Sequence, residues 1–193
     1  MIQRRVSQAY PRRADVIESA RLGSEGTPMP FEAGAKPHQR IPITAYVALG
    51  ANLGDAKNAV LMAMNSLGSL PYTQETARSS LYRTAPIDSS GPEYINAVAE
   101  ISTCLTAPDL LRELQMLELA AGRERPYRNA PRTLDLDLLV YGEACIQSPL
   151  LTLPHPRMNE REFVLVPLAE IAPTRVGAQL LAAVAGQGIE RID

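Results

Sequence analysis

Two carboxylates two residues apart, Asp135 and Asp137, sit in the stretch Pro131-Arg132-Thr133-Leu134-Asp135-Leu136-Asp137-Leu138-Leu139-Val140-Tyr141. Apolar residues alternate with the acids, a period of two that marks a strand. Alternation sends Leu134, Leu136, Leu138 and Val140 into a core, and Thr133, Asp135 and Asp137 to the opposite face. The α-carbons of the two acids then stand about 7 Å apart. Like charges at that spacing repel, and aspartate is a poor strand former, so something must compensate for the pair. A divalent cation does so directly, and hard oxygen donors without histidine or cysteine favour magnesium over zinc. Taken alone, Asp-x-Asp fits a solvated edge-strand face equally well. Its neighbours shift the balance: Arg132 precedes the strand, and Arg123, Arg125 and Arg128 crowd the loop before it. Guanidinium forks hold phosphate oxygens bidentately, so acids for a metal beside a basic loop describe a metal–polyphosphate site.

No Gly-x-x-x-x-Gly-Lys-Ser/Thr loop accompanies these residues. Gly50-Ala51-Asn52-Leu53-Gly54 lacks the lysine and the hydroxyl of such a loop and reads as a tight turn. Arginines and metal must then hold the phosphates.

The elements that position this site are legible from periodicity and caps. Thr44 to Gly50 reads as a buried strand. Asp55 caps a helix whose apolar residues run from Val60 to Leu67, and Gly68 closes it. Strands are expected over Thr76 to Tyr82 and over Tyr94 to Thr103. Thr106-Ala107-Pro108-Asp109 is a capping box with proline in the first turn, opening a leucine-rich helix that Gly122 ends. A fourth strand spans Thr133 to Tyr141, with a turn at Gly142-Glu143. Short helices follow, near Leu165 to Ile171 and from Ala178 to Ala185. Strand, helix, strand, strand, helix, strand predicts an α+β fold: a ferredoxin-like βαββαβ core, helices on one face, with extra C-terminal helices. That fold hosts many chemistries, so the site must decide the function.

Of 193 residues, 46% are hydrophobic and 21% charged, with net charge −2, an ordinary globular mixture that gives no bulk attraction to nucleic acid or anionic membrane. No apolar run is long enough to span a bilayer, and the N-terminus lacks the apolar segment of a secretory signal. Cys104 and Cys145 form no CxxC pair, and with His38 and His155 they make no zinc set. Both cysteines read as small buried hydrophobes in a reducing, cytoplasmic interior. Residues 1–40 carry arginine pairs, prolines and little periodicity, and are expected to form a flexible tail before a domain at 41–193. Met29 offers a second start of translation within that tail.

The motif Arg132-Thr133-Leu134-Asp135-Leu136-Asp137 resembles the signature of the 6-hydroxymethyl-7,8-dihydropterin pyrophosphokinase family. The resemblance extends from about Ala45 to Pro173, through Leu49 to Gly54, Tyr82 to Pro86, Tyr94 to Ala97 and Leu153 to Met158. It implies a transferase of folate biosynthesis: ATP and the hydroxymethyl pterin give AMP and the pterin diphosphate ester. It further implies that Asp135 and Asp137 hold two magnesium ions along the ATP phosphates. Arg123 and Arg132 match arginines of mobile catalytic loops in the family. Gln115, Glu118, Arg125, Arg128, Leu138, His155 and Arg161 are implied at the nucleotide, and Thr84, Ile87, Tyr94, Asn96 and Phe163 at the pterin. A pterin edge suits a buried carboxamide, and its flat ring suits an aromatic face. Without the resemblance, His155, Asn96 and Phe163 read as a loop histidine, an edge polar residue and core packing. Asn129 and Pro156 depart from the family pattern, standing where some members carry tryptophan and tyrosine.

The expected partners are ATP and a pterin, with no nucleic acid and no membrane, and the expected state is a monomer. A metal-dependent nucleotidyltransferase or simple kinase could use the same acid pair, leaving pyrophosphate or ADP instead of AMP. A non-catalytic pterin or nucleotide binder would tolerate loss of Asp137. RNA-binding domains of this fold use paired sheet aromatics, a platform that Phe31 and Phe163 do not make. Deleting residues 1–39 is expected to shift the melting temperature by less than about 2 °C, since so polar a segment buries little apolar surface. A large drop in a thermal melt of the truncated chain would show that the tail packs.

Overall fold

The computed structural model describes residues 40–86, 91–122 and 133–192. Strand β1 (Ile43–Ala51) pairs antiparallel with β4 (Tyr94–Thr103) on one side and with β5 (Asp135–Tyr141) on the other. Strands β2 (Thr73–Arg78) and β3 (Leu81–Thr84) both pair with β4, and β8 (Ile189–Ile192) adds to β3. The order β5-β1-β4-β3-β8 makes a six-stranded antiparallel sheet when β2 is included. A two-residue pairing of β6 (Ile146–Gln147) with β7 (Thr152–Leu153) stands apart. The expected ferredoxin-like core is present. Its second strand divides in two, because Ser79 leaves the β2 ladder: its hydroxyl accepts from Val98 N–H and its N–H donates to the Val98 carbonyl.

Helices α1 (Ala56–Leu67) and α2 (Ala107–Ala120) cover one sheet face. Their starts follow the caps: Asn58 N–H donates to Asp55 Oδ1, and Asp109 N–H to Thr106 Oγ1. Val60, Ala63, Met64 and Leu67 from α1 meet Leu110 and Leu114 from α2 over Val47, Leu49, Ala97, Ile101, Leu136 and Leu138. Each fully buried leucine contributes about 1.5–3 kcal/mol relative to exposure, so this face holds most of the fold. Helix α3 begins earlier than the periodicity suggested, at Glu162, and runs to Ile171; α4 spans Ala178–Val184. Both lie on the opposite face, over Tyr46, Val98, Leu139 and Val140.

Val140 corrects the simple alternation. It pairs with Tyr46 while Leu138 pairs with the next residue, Val47, so Leu139 is an extra residue on β5. This bulge turns Leu139 and Val140 together to the α3 face. Gly142 then turns the chain at φ 52°, where an added Cβ would meet Ile43 Cγ2 at 3.0 Å. The cysteine expectation also needs correction, since Cys104 is half-buried, with its Sγ 3.3 Å from the Arg40 carbonyl, and Cys145 is exposed. Among the described residues no helix is long and apolar enough to cross a membrane.

Glu170 ties α3 to the break between β2 and β3. Its carboxylate accepts from Ser80 N–H at 2.9 Å, Ser80 Oγ at 2.8 Å and Tyr82 Oη at 2.9 Å. Burial disfavours its charge, but these donors and Arg191 outweigh that and hold it below its ordinary value of 4.5. Burial and the bond to Glu170 together push the Tyr82 phenol up to about 12. A depressed carboxyl stabilises the fold above its unfolded pKa and loses that contribution as pH falls through the folded value. Glu170→Gln is therefore expected to cost about 1 kcal/mol at neutral pH, and the difference from wild type to close towards about pH 3. Urea unfolding at both pH values checks this; a constant gap would show that the charge is not what ties the helix down.

Candidate active site

Where α3 stops covering the second sheet face, a cleft of about 820 Å³ opens. Its floor is set by register. Gly50 on β1 lies opposite Asp135 on β5 and Asn96 on β4, and Asn96 lies opposite Tyr82 on β3. One row further along, Ala48 lies between Asp137 and Val98. Small residues at Ala48 and Gly50 keep the floor low between the acids and the carboxamide. An added Cβ at Gly50 would stand 3.3 Å from Asn96 Oδ1. Asn96 is 4% exposed and donates from Nδ2 to Thr84 Oγ1 at 2.9 Å, which fixes the plane of its amide.

The opposite wall comes from the start of α3 and the short 3-10 turn before it. Arg161 Nη1 lies 3.5 Å from Asp137 Oδ2, and its guanidinium stands 5.4 Å from the centre of the Phe163 ring. His155 is brought to β5 by its backbone, whose N–H donates to the Leu139 carbonyl at 2.8 Å. Its Nδ1 accepts from Arg157 N–H at 3.3 Å, so the proton of the neutral ring belongs on Nε2, 4.0 Å from Asp137 Oδ2. Burial lowers the imidazole pKa most, and Arg161 and Arg157 add to it against Asp137 and Asp135. The lowered pKa favours the neutral ring, which weakens its charge pairing with Asp137.

The cleft brings together Asp135, Asp137, Thr84, Tyr94, Asn96, Arg161 and Phe163, all singled out from the sequence. It also contains Arg157, Glu160 and Gln187, which were not. Arg157 stood in a recognisable motif, but Gln187 carried no sequence signal. His155 adjoins the cleft through Asp137. Three other positions lie elsewhere. Gln115 is exposed on α2. Glu118 is 2% exposed, and its Oε1 accepts from Leu136 N–H at 2.7 Å. The Leu138 side chain lies in the core, on the face opposite Asp137. Ile87, Arg123, Arg125, Arg128 and Arg132 lie outside the described residues, as does Asn129; Pro156 is exposed.

The two acids suit magnesium, which binds through one or two carboxylates, waters and substrate phosphates rather than a closed protein cage. Among the described residues there is no group of three or more histidine, cysteine or acidic side chains placed to bind a metal.

Comparison with known proteins points one way. The family model for 7,8-dihydro-6-hydroxymethylpterin-pyrophosphokinase (HPPK) matches residues 46–173. The chain is 43% identical over 154 residues to the 2-amino-4-hydroxy-6-hydroxymethyldihydropteridine pyrophosphokinase of Pseudomonas aeruginosa, covering 76% of this chain and 95% of that one. It is 47% identical over 131 residues to the Haemophilus influenzae protein of the same name, covering 67% of this chain and 82% of that one. Among solved structures, the Plasmodium falciparum HPPK-DHPS with pteroate superposes with a TM-score of 0.60 at 12% identity. That match covers 80% of this chain but only 46% of the other. An HPPK-DHPS in complex with substrates gives 0.55, also at 12% identity, covering 75% of this chain and 43% of that one. At such identity these structures speak to the fold alone.

The contact between Gly50 and Asn96 generates a test. Gly50→Val forces a branched side chain against a carboxamide that Thr84 holds in place, and is expected to destabilise the fold by about 1–3 kcal/mol. An unchanged denaturation midpoint would show that Asn96 moves aside freely.

Proposed function

The chain belongs to the 7,8-dihydro-6-hydroxymethylpterin-pyrophosphokinase family, and on that premise we propose that its cleft transfers pyrophosphate from ATP to 6-hydroxymethyl-7,8-dihydropterin. The products are AMP and the pterin diphosphate ester, which places the enzyme in folate biosynthesis. The observation that supports the cleft as the reaction site is the row Asp135–Gly50–Asn96. With Asp137 in the adjoining row, it sets a carboxylate pair and a buried carboxamide on one floor, two strands apart.

In this reading the pterin hydroxyl oxygen bonds to the β-phosphorus as the bond from that phosphorus to the α-phosphate bridging oxygen breaks. The hydroxyl proton passes to solvent, and AMP leaves with the bridging oxygen. Asp135 and Asp137 would hold two magnesium ions, which would supply charge compensation for the phosphates and help to align the reacting groups. Arg161, half-buried beside Asp137, meets phosphate oxygens, and Arg123 and Arg132 add charge from the preceding loop. Arg125, Arg128 and His155 form the nucleotide side; of the other positions implied there, Gln115, Glu118 and Leu138 lie outside the cleft, and Glu118 acts from beneath by holding the Leu136 N–H on the strand of the two acids.

Asn96 orients the pterin. Its Nδ2 is committed to Thr84, while Oδ1 faces the space left by Gly50 and can accept from the ring amino group. Phe163 offers a ring face, held under the Arg161 guanidinium. Thr84, Ile87 and Tyr94 complete that end.

Two measurements test the proposal. Purified protein with MgATP and the pterin is expected to release AMP only when the pterin is present; ADP would make it an ordinary kinase. Asp137→Ala is expected to lower turnover by about 100-fold or more, the scale of losing a preorganised electrostatic group. Its melting temperature should stay within a few degrees of wild type, because the substitution removes both the like-charge repulsion on β5 and the pairing with Arg161. Near-normal turnover in this variant would remove the metal role.

A further inference from the structure

Arg161 occupies the N-cap position of α3 in an extended conformation, yet its side chain does not cap the helix. It is directed instead at Asp137 and Phe163. A helix start leaves orphan N–H donors that need acceptors. Here the acceptor comes from elsewhere in the chain. Glu162 N–H donates to Gln187 Oε1 at 3.0 Å, and Gln187 Nε2 donates to the Glu160 carbonyl at 2.9 Å. In return the Glu162 carboxylate, on a residue 8% exposed, accepts from Gln187 N–H at 2.8 Å and Gly186 N–H at 3.3 Å.

We propose that Glu162 and Gln187 form a positioning clasp for the transfer reaction, fixing Arg161 and Phe163 on either side of Glu162 in the cleft. The proposal rests on the pyrophosphoryl-transfer reading above.

Three features favour positioning over incidental packing. The clasp is reciprocal, four hydrogen bonds between two short segments, so the neighbours of Glu162 are fixed in direction as well as position. Gln187 itself lines the cleft, between Gly186 at φ 95° and Gly188 at φ 85°, a turn shape that favours glycine on both sides. The chain leaving the turn enters β8, which pairs with β3 up to Thr84, the residue that holds Asn96. One turn therefore connects the wall bearing Arg161 and Phe163 with the strand supporting Asn96. Gln187 and β8 lie beyond residues 46–173, the stretch that the family model matches.

The test is steady-state kinetics and thermal melting of wild type, Gln187→Ala, Glu162→Gln and Glu162→Ala. Gln187→Ala is expected to raise KM for the pterin, and for ATP in parallel, by about 10-fold, the scale of losing a supporting hydrogen-bond partner. Its kcat should stay within about threefold of wild type. Glu162→Gln keeps one acceptor oxygen and should fall between wild type and Glu162→Ala. Unchanged KM in Gln187→Ala and Glu162→Gln, whatever their melting temperatures, overturns the clasp. So does a fall in kcat that merely tracks lost folded protein. A wild type that makes no AMP defeats the reaction reading instead. Pterin fluorescence titration of the same variants then decides the clasp, an unchanged Kd overturning it and a roughly 10-fold weaker one sustaining it.

Discussion

Strand β5 cannot relieve the repulsion between Asp135 and Asp137 by turning over, because its other face carries Leu134, Leu136 and Leu138 at 0%, 4% and 3% exposure. Burying three leucines contributes about 5–8 kcal/mol. Two partly exposed carboxylates on α-carbons about 7 Å apart repel by about 1–2 kcal/mol. The leucines win, and the acids are held side by side whether or not anything lies between them. Glu118 adds to this from the core side by accepting the Leu136 N–H, the one between the two acids. What the site does with charge follows from a strand that has no choice of face.

The second sheet face shows the complementary constraint. Helices α3 and α4 need apolar residues beneath them, and the sheet offers these at Tyr46, Val98, Leu139 and Val140. Towards Gly50 and Asn96 the same face becomes small and polar, so the helical cover ends and the cleft begins. The Leu139 bulge makes the two halves compatible, since without it Val140 would join the first core and the α3 face would lose an apolar contact.

Elements governed by local rules were legible in the sequence. Asp55 and Thr106 announced their helices through capping, and β4 runs over the expected residues Tyr94 to Thr103. The acid pair was legible because charge in a period-two pattern is unusual. Features that depend on distant residues were not. The division of β2 from β3 rests on Ser79 meeting Val98, and the bulge on register with β1. Strand β8 reads as a polar tail until β3 is there to pair with it. Glu162 looks like any acid in a first helical turn; only the fold sets Gln187 against it. Glu118 and Leu138 illustrate the converse, since the family resemblance implied both at the nucleotide while the fold buries both side chains.

The row through Asp135, Gly50 and Asn96 is also a gauge of length. Adjacent strands lie about 4.8 Å apart, so the backbone sets Asp135 and Asn96 roughly 10 Å from one another across β1. That interval belongs to the sheet's hydrogen-bond ladder and not to any side chain. Lengthening an acid by one methylene changes its reach but leaves the ladder spacing where it was. Groups held at the two ends are therefore spaced by the backbone and not by the reach of either side chain.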